Sequence, residues 1–161
     1  MTTSASVVNA IVDDLINDLS SNATTVGLSY PARVYERDEH PQAALNRGDL
    51  PCAYVIPFME GGSIIKTDID PVHEFIFPLT VTAYYLGTDV TSSALATDLR
   101  TTRNYGLAFT DLYLTKTRGE HFSGQGWIKD GFKVDVGYWI SGGGKVVHYW
   151  IVKMTVTTFT S

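Results

Sequence analysis

The chain has 161 residues, of which 44% are hydrophobic and 18% charged, and its formal net charge is −5. This length and composition predict one soluble domain, residues 1–161, that needs neither a disulfide nor a metal to hold its core. The acidic balance argues against a protein that grips nucleic-acid phosphates, although DNA could pass along an acidic surface without being held.

Cysteine usage and hydropathy exclude further classes of protein. Cys52 is the only cysteine, so the sequence offers no intramolecular disulfide and no Cys-x-x-Cys pair. The first residues lack the basic region and apolar stretch of a secretory signal. No run approaches the roughly 20 apolar residues of a membrane span. We therefore expect a protein without membrane contact, made in a cytoplasm.

The chain opens with an amphipathic pattern. Apolar residues recur at helical spacing from Ser6 to Leu19, and Ser4 or Ser6 is available as the N-cap. This pattern predicts a first helix. Its later turns carry aspartates on what we expect to be a solvated face, namely Asp13, Asp14 and Asp18.

Strand signals alternate with turn residues in the next part of the chain. A polar stretch, residues 37–50, contains Pro41 and Gly48 and predicts a loop. Short strands are predicted on either side of it and after Gly61-Gly62, at Val26–Tyr35 (interrupted by Pro31), Pro51–Phe58 and Ser63–Ile69.

The longest strand signal runs from His73 to Leu86, where aromatic and aliphatic residues alternate onto one face. Pro78 has no N–H to donate, so we expect the strand to lie at an edge there or to carry a bulge. Gly87 ends the strand.

A second helix is predicted from about Thr91 to Leu114, capped by Asp89 or Thr91, with one apolar stripe. Gly106 lies on this stripe, although glycine destabilises a helix interior by roughly 1 kcal/mol relative to alanine. A glycine at this position is tolerable if it lets the helix approach a sheet closely. The alternative is that the helix breaks there.

The last part of the chain reads as a polar loop followed by a hairpin. The loop spans Lys116–Gly126, and the strands Trp127–Ile140 and Lys145–Phe159 are joined by the turn-forming segment Ser141–Gly144. The order of elements predicts an α+β fold, with an antiparallel or mixed β-sheet and two α-helices packed on one face. Apolar residues on the other face then need a second cover, which a neighbouring subunit can supply.

No catalytic or cofactor motif is present. The sequence lacks a Walker loop, a dinucleotide-binding fingerprint and a nucleophile elbow. We expect no enzyme activity, no cofactor and no metal. His148 is expected to be a hydrogen-bonded core histidine. The residues predicted not to converge on a metal or nucleophile site are His40, His73, His121, His148 and Cys52.

A small carboxylate cluster, Asp68, Asp70 and Glu74, surrounds a predicted turn at Pro71. It lacks the glycine and the distal glutamate of an EF-hand loop, so a solvated turn is the simplest interpretation.

The layout of the whole chain carries a resemblance. A helix opens it, the apolar strand Pro51–Pro57 follows, and the long strand Phe75–Tyr85 runs through Gly87 into the second helix before the closing strands. This arrangement resembles the tail-terminator (tail-completion) proteins of long-tailed bacteriophages. The resemblance implies a non-enzymatic virion protein, assembled in the host cytoplasm as a homohexameric ring.

Such a ring would cap the tail tube and contact both the tail tube protein and the head-side connector or neck protein. DNA would pass through it without sequence-specific binding, so the resemblance makes the turn with Asp68, Asp70 and Glu74 a candidate for an acidic lumen wall. Residues 37–50 and 116–126 would be partner-facing loops with little apolar area to anchor them.

Other functions fit the same sequence. One is a different head-to-tail joining protein of the neck. Another is a small-ligand-binding domain with a pocket between the second helix and the sheet, lined by Trp127, Trp139 or Trp150. An enzyme without a recognisable motif is the third.

Overall fold

The computed structural model describes residues 3–29, 32–36, 50–57, 65–69, 72–88, 91–140 and 145–160. Within these residues two α-helices and a mixed sheet confirm the predicted α+β class. The helices are α1 (Ser4–Ser21) and α2 (Ser92–Leu114), and a kinked 3₁₀ segment (Arg118–Gly124) follows α2. The strands are β1 (Val34–Glu36), β2 (Cys52–Pro57), β3 (Ile65–Ile69), β4 (Val72–Leu86), β5 (Trp127–Ile140) and β6 (Val146–Thr160).

The strands are arranged in the order β1-β2-β4-β6-β5, and β3 also pairs with β4. Only the β1–β2 pair is parallel among the described strands. Strands β2 and β3 lie one after the other along the same side of β4, because Pro57 pairs with Leu79 and Ile65 pairs with Ile76. Pro78 pairs with Thr155 of β6, and on its other side no described residue of β2 or β3 pairs with it.

The N-terminal region differs from the sequence prediction in two details. Thr3 is the N-cap of α1, and Ser6 completes a capping box with it, so the prediction of Ser4 or Ser6 as the cap was wrong. The prediction that a strand begins at Val26 was also wrong. The chain turns there instead, with Gly27 in the left-handed region (φ 72°) and the Leu28 N–H bonded to the Ala23 carbonyl.

Both helices pack on one face of the sheet, as predicted. α1 contributes a continuous apolar stripe, and α2 contributes Phe109 and Tyr113 to the same core. The sheet side of this core comes from the alternating residues of β4 and β6, among them Phe77, Leu79, Val81, Trp150, Val152 and Val156.

The opposite face is partly buried within the chain itself. Cys52, Ile56 and Tyr84 are fully buried there and form a second cluster with Tyr54 and Val147. The expectation that this face needs a neighbouring subunit was therefore wrong for the part over β2 and β4. Assembly contacts have to be sought elsewhere on the molecule.

Gly106 lets α2 lie directly on Trp150. A Cβ atom at position 106 would lie 3.1 Å from both Cβ and Cγ of Trp150. Trp150 has little freedom to move away, because its indole N–H donates to the Tyr85 hydroxyl (2.7 Å) and its ring stacks on Phe109 at 5.2 Å. The close-approach interpretation of this glycine is confirmed, and the helix is unbroken through it.

The segment after α2 is anchored more firmly than predicted. Phe122 belongs to the main core, and the His121 ring nitrogen Nε2 lies 3.0 Å from the Tyr113 carbonyl oxygen. The expectation of a weakly anchored loop at 116–126 was therefore wrong. The other predicted partner-facing loop, residues 37–50, lies outside the described residues except for Leu50.

Asp18 is also less solvated than predicted. The Tyr113 hydroxyl donates to Asp18 Oδ2 at 2.8 Å, and Lys116 Nζ lies 3.9 Å from the same oxygen. Burial, followed by the negative charge of Asp18, raises the pKa of Tyr113. The pair ties the end of α1 to the end of α2.

Substituting Gly106 with alanine tests the contact with Trp150. Alanine gains about 1 kcal/mol in helix propensity, but overpacking a fixed core residue costs about 1–3 kcal/mol. We expect a net loss of about 1 kcal/mol in the free energy of unfolding, measured by urea titration. Arg103→Ala, at an exposed position of the same helix, serves as the control and should change stability by less than about 0.5 kcal/mol. If the Gly106→Ala protein is more stable than the wild type, the Trp150 side chain can move to accommodate the added methyl group.

Candidate functional site

The outer edge of β5 is the first candidate site. β5 pairs only with β6 in the part of the chain that the structure describes, so its other edge carries backbone groups without a strand partner. Tyr138 is 45% exposed and Ile140 57% exposed on the side of β5 that faces the helices. An exposed apolar edge strand is a template for pairing with another chain.

One flank of α2 extends this apolar surface. Leu107 and Leu114 are 45% and 65% exposed and lie one above the other, seven residues apart. The opposite flank carries Tyr105, whose ring contacts Tyr85 of β4 at 5.2 Å. Because β5 lies on the other side of β6 from β4, the leucine flank is the one turned toward β5. Gly106 lies on Trp150, the partner of Val136, whereas Tyr113 contacts Phe132 at 6.3 Å, so Leu107 lies beside the second half of β5 and Leu114 beside the first. We define the β5 edge surface as Val136, Tyr138, Ile140 and Leu107.

The two halves of β5 differ in how well their exposed edge is protected against pairing with another strand. The first half carries Lys129 and Lys133 and is interrupted by a bulge at Asp130–Gly131, where both residues have positive φ. Charges and bulges are the usual protection against edge-to-edge pairing. Residues 136–140, Val-Gly-Tyr-Trp-Ile, carry neither. This uncharged run is visible in the sequence and indicates an unprotected strand edge, but it was not recognised there.

The reverse face of this half-strand is supported by aromatic side chains. Tyr149 lies across Gly137, where an added Cβ would come within 2.5 Å of its hydroxyl. The Trp139 ring packs against Tyr149 and Tyr84 at centroid distances of 5.5 Å each. These contacts hold β5 against the sheet while leaving its outer edge uncovered among the described residues.

The predicted acidic turn falls on the β3–β4 hairpin. Asp68 and Glu74 lie on adjacent strands, where the register pairs Asp68 with His73 and Thr67 with Glu74. Glu74 is partly buried. Asp70 lies outside the described residues. Positions 68 and 74 therefore lie on adjacent strands but on opposite faces of the hairpin.

A cavity of about 210 Å³ is the second candidate site. It lies between α2, the ends of β4 and β6, and the turn after α1, and its lining consists of Gly27, Tyr85, Leu86, Asp98, Thr101, Thr102, Tyr105 and His148. Among the described lining residues Asp98 is the one carboxylate. Its Oδ2 accepts hydrogen bonds from the Thr88 N–H and hydroxyl, both at 2.9 Å.

His148 is buried in the wall of this cavity, with a side chain only 1% exposed. Its Nε2 lies 3.3 Å from Asp98 Oδ2, but neither ring nitrogen has a hydrogen bond of acceptable geometry among the described residues. The expectation of a core histidine is right about burial, and the polar group nearest to its ring is the Asp98 carboxylate. Burial lowers the pKa of His148, and the nearby Asp98 carboxylate only partly opposes that shift.

The tryptophans do not form the pocket that the sequence analysis considered. Trp150 lies in the core beneath α2, whereas Trp139 and Trp127 lie on the opposite face of β5. The described His, Cys, Asp and Glu side chains contain no group of three or more that could hold a metal ion. No described helix is long and apolar enough to cross a membrane.

Comparison with known proteins found no match: no family model matches the chain, and no curated protein matches it either. The site is therefore interpreted from the chemistry of its own residues.

His148 predicts a pH dependence of stability. Its folded-state pKa lies below the ordinary value of 6.5, so below that pH the unfolded chain binds a proton that the folded chain resists. Stability should therefore fall as the pH drops from about 7.5 to about 5, and His148→Gln should remove part of that fall. Urea unfolding of both proteins at the two pH values measures it. An equal loss of unfolding free energy between the two pH values in the wild type and in the variant would contradict the prediction.

Proposed function

We propose that this protein is a structural subunit that binds further copies of itself through the β5 edge surface, as part of a tail-terminator-like ring in a long-tailed bacteriophage. The ring, six-fold in this proposal, caps the tail tube and joins it to the head-side connector in the virion. The observation that carries the proposal is the uncharged, apolar half of β5 beside Leu107 of α2.

The chemistry of this surface supports binding to a protein chain. A strand added to β5 would pair with its free N–H and C=O groups, and the side chains of Tyr138 and Ile140 would be covered at the same time. Leu107 adds an aliphatic side chain beside the new strand.

A ring requires that two different surfaces of the subunit meet. The β5 edge surface supplies one of them. The other end of the sheet is β1, a strand of three residues with exposed Tyr35. Head-to-tail contact between β5 of one subunit and a different surface of the next would close into a ring, whereas contact of β5 with β5 would give a dimer.

Two other functions remain as alternatives. A different neck protein of the head-to-tail joint would use the same edge surface with another partner. A small-ligand-binding domain is favoured by the cavity at His148, which is large enough for a ligand and has polar groups at its base.

The mass of the protein in solution, alone and with tail tube protein, tests the ring. We expect an assembly several times the 17.7 kDa monomer in at least one of these conditions. Ile140→Lys should reduce it to monomer, because a buried unpaired charge would oppose strand addition. Native mass spectrometry measures the assembly, and circular dichroism confirms that the variant is folded.

Phe159→Lys is the matched control, since Phe159 is an exposed aromatic residue at the far end of β6. It should leave the assembly intact. A monomer under both conditions would refute the ring. Equal disruption by the Phe159 and Ile140 variants would refute the assignment of the contact to the β5 edge surface.

The acidic turn gives a separate test of the DNA path. If Asp68, Asp70 and Glu74 line the lumen, replacing all three with lysine should slow DNA ejection, because each lysine that pairs with a phosphate adds affinity through counterion release. The slowing should weaken as the salt concentration rises. Ejection kinetics that match the wild type, in particles that assemble normally, would place the turn away from the DNA.

A further inference from the structure

The cavity at His148 has the features of a binding site rather than of a packing defect. Empty cavities in proteins are apolar, whereas this one has a carboxylate, an imidazole and two threonines in its wall. Its volume of about 210 Å³ far exceeds the roughly 10–15 Å³ that a single water requires. The rim residues Leu86 and Thr101 are exposed, so a group can enter from the surface.

The polar groups at its base select the charge of the occupant. Asp98 is the one formally charged side chain among the described lining residues, and no described lysine or arginine pairs with it. Its described hydrogen bonds, from Thr88, fall on Oδ2. An anion would be repelled by this carboxylate, and a cation would be attracted.

The geometry of the pair selects the shape of the occupant. His148 Nε2 and Asp98 Oδ2 lie 3.3 Å apart, and Oδ2 already accepts from Thr88. When the imidazole is neutral with its proton on Nδ1, Nε2 is an acceptor, and Oδ1 of the neighbouring carboxylate carries no described hydrogen bond. One group with several N–H donors can satisfy both. A guanidinium has five such donors in a planar fork and no acceptor.

Aromatic rings complete the cavity. Tyr85 and Tyr105 both line it, with ring centroids 5.2 Å apart. The Tyr85 hydroxyl is fully engaged, because it accepts from Trp150 and donates to the Val26 carbonyl at 2.6 Å. The two tyrosines therefore contribute aromatic ring atoms to the wall, and guanidinium groups pack well against aromatic rings.

We propose that this cavity binds a guanidinium group, supplied by an arginine side chain of a partner protein, with Asp98 and His148 as its acceptors. This inference goes beyond the assembly proposal and does not depend on it. The cavity and the β5 edge surface have no residue in common, although Tyr138 packs beside His148 with ring centroids 6.0 Å apart. Variants at Ile140 and at Asp98 therefore test the two sites separately.

Capped amino acids serve as probes of the isolated protein. N-acetyl-arginine methylamide should produce saturable NMR shifts at the Thr88 amide and the His148 imidazole. The citrulline analogue, which has the same shape with a neutral urea group, should produce shifts that do not saturate in the same range. Free arginine tests the source of the group, since a site for a chain-borne arginine should bind the capped form at least as tightly.

Two variants locate the site. Asp98→Asn should weaken binding of the capped arginine about tenfold or more, because a hydrogen bond to a charged acceptor is lost. Asp111→Asn, an exposed aspartate on the same helix, should leave binding unchanged. Thr101→Lys places a cation at the rim without entering the core, and should abolish binding even if Asp98→Asn fails to fold.

Several outcomes would overturn the proposal. Equal affinity for the arginine and citrulline probes would show that charge is not recognised. Unchanged binding by folded Asp98→Asn and Thr101→Lys proteins would place the probe elsewhere. No saturable shift with any probe would mean that the cavity holds only water. Tighter binding of free arginine than of the capped form would assign the site to a free amino acid instead of a partner chain.

Discussion

The hydrogen-bonded Trp150 holds together elements that are far apart in the sequence. Its indole N–H donates to Tyr85, whose hydroxyl donates in turn to the Val26 carbonyl, so one short chain of hydrogen bonds joins β6, β4 and the turn after α1. The same indole lies under Gly106 and stacks on Phe109 of α2. The position of both helices on the sheet, and hence the cavity between α2 and the strand ends, depends on this residue.

The parts of the fold that could be predicted are those governed by local periodicity. The bounds of α2 and of the hairpin strands β5 and β6 followed from apolar spacing and turn residues. Local patterns fail where a tertiary partner decides the outcome. Phe122 looked like part of a polar loop, and it enters the core at a positive φ that only its contacts with Tyr113 and the rest of the core explain.

The two candidate sites were hidden from sequence reasoning for different reasons. The β5 edge surface depends on strand order, which places β5 at the edge and α2 beside it, and one sequence does not specify that order. The cavity depends on a contact between residues 98 and 148 that belong to different elements. The predicted acidic turn, by contrast, was a matter of adjacent residues, and the register of the β3–β4 hairpin places positions 68 and 74 on opposite faces.

The long central pairing of β4 with β6 has a consequence for how the chain is made. Its partners are separated by a helix and another strand, as the 65-residue separation of Tyr85 and Trp150 illustrates. During synthesis β4 therefore leaves the ribosome well before β6 exists, with Phe75, Phe77 and Leu79 lacking the strand that will lie beside them. Such a nascent chain is a natural client for a chaperone until the last strand emerges.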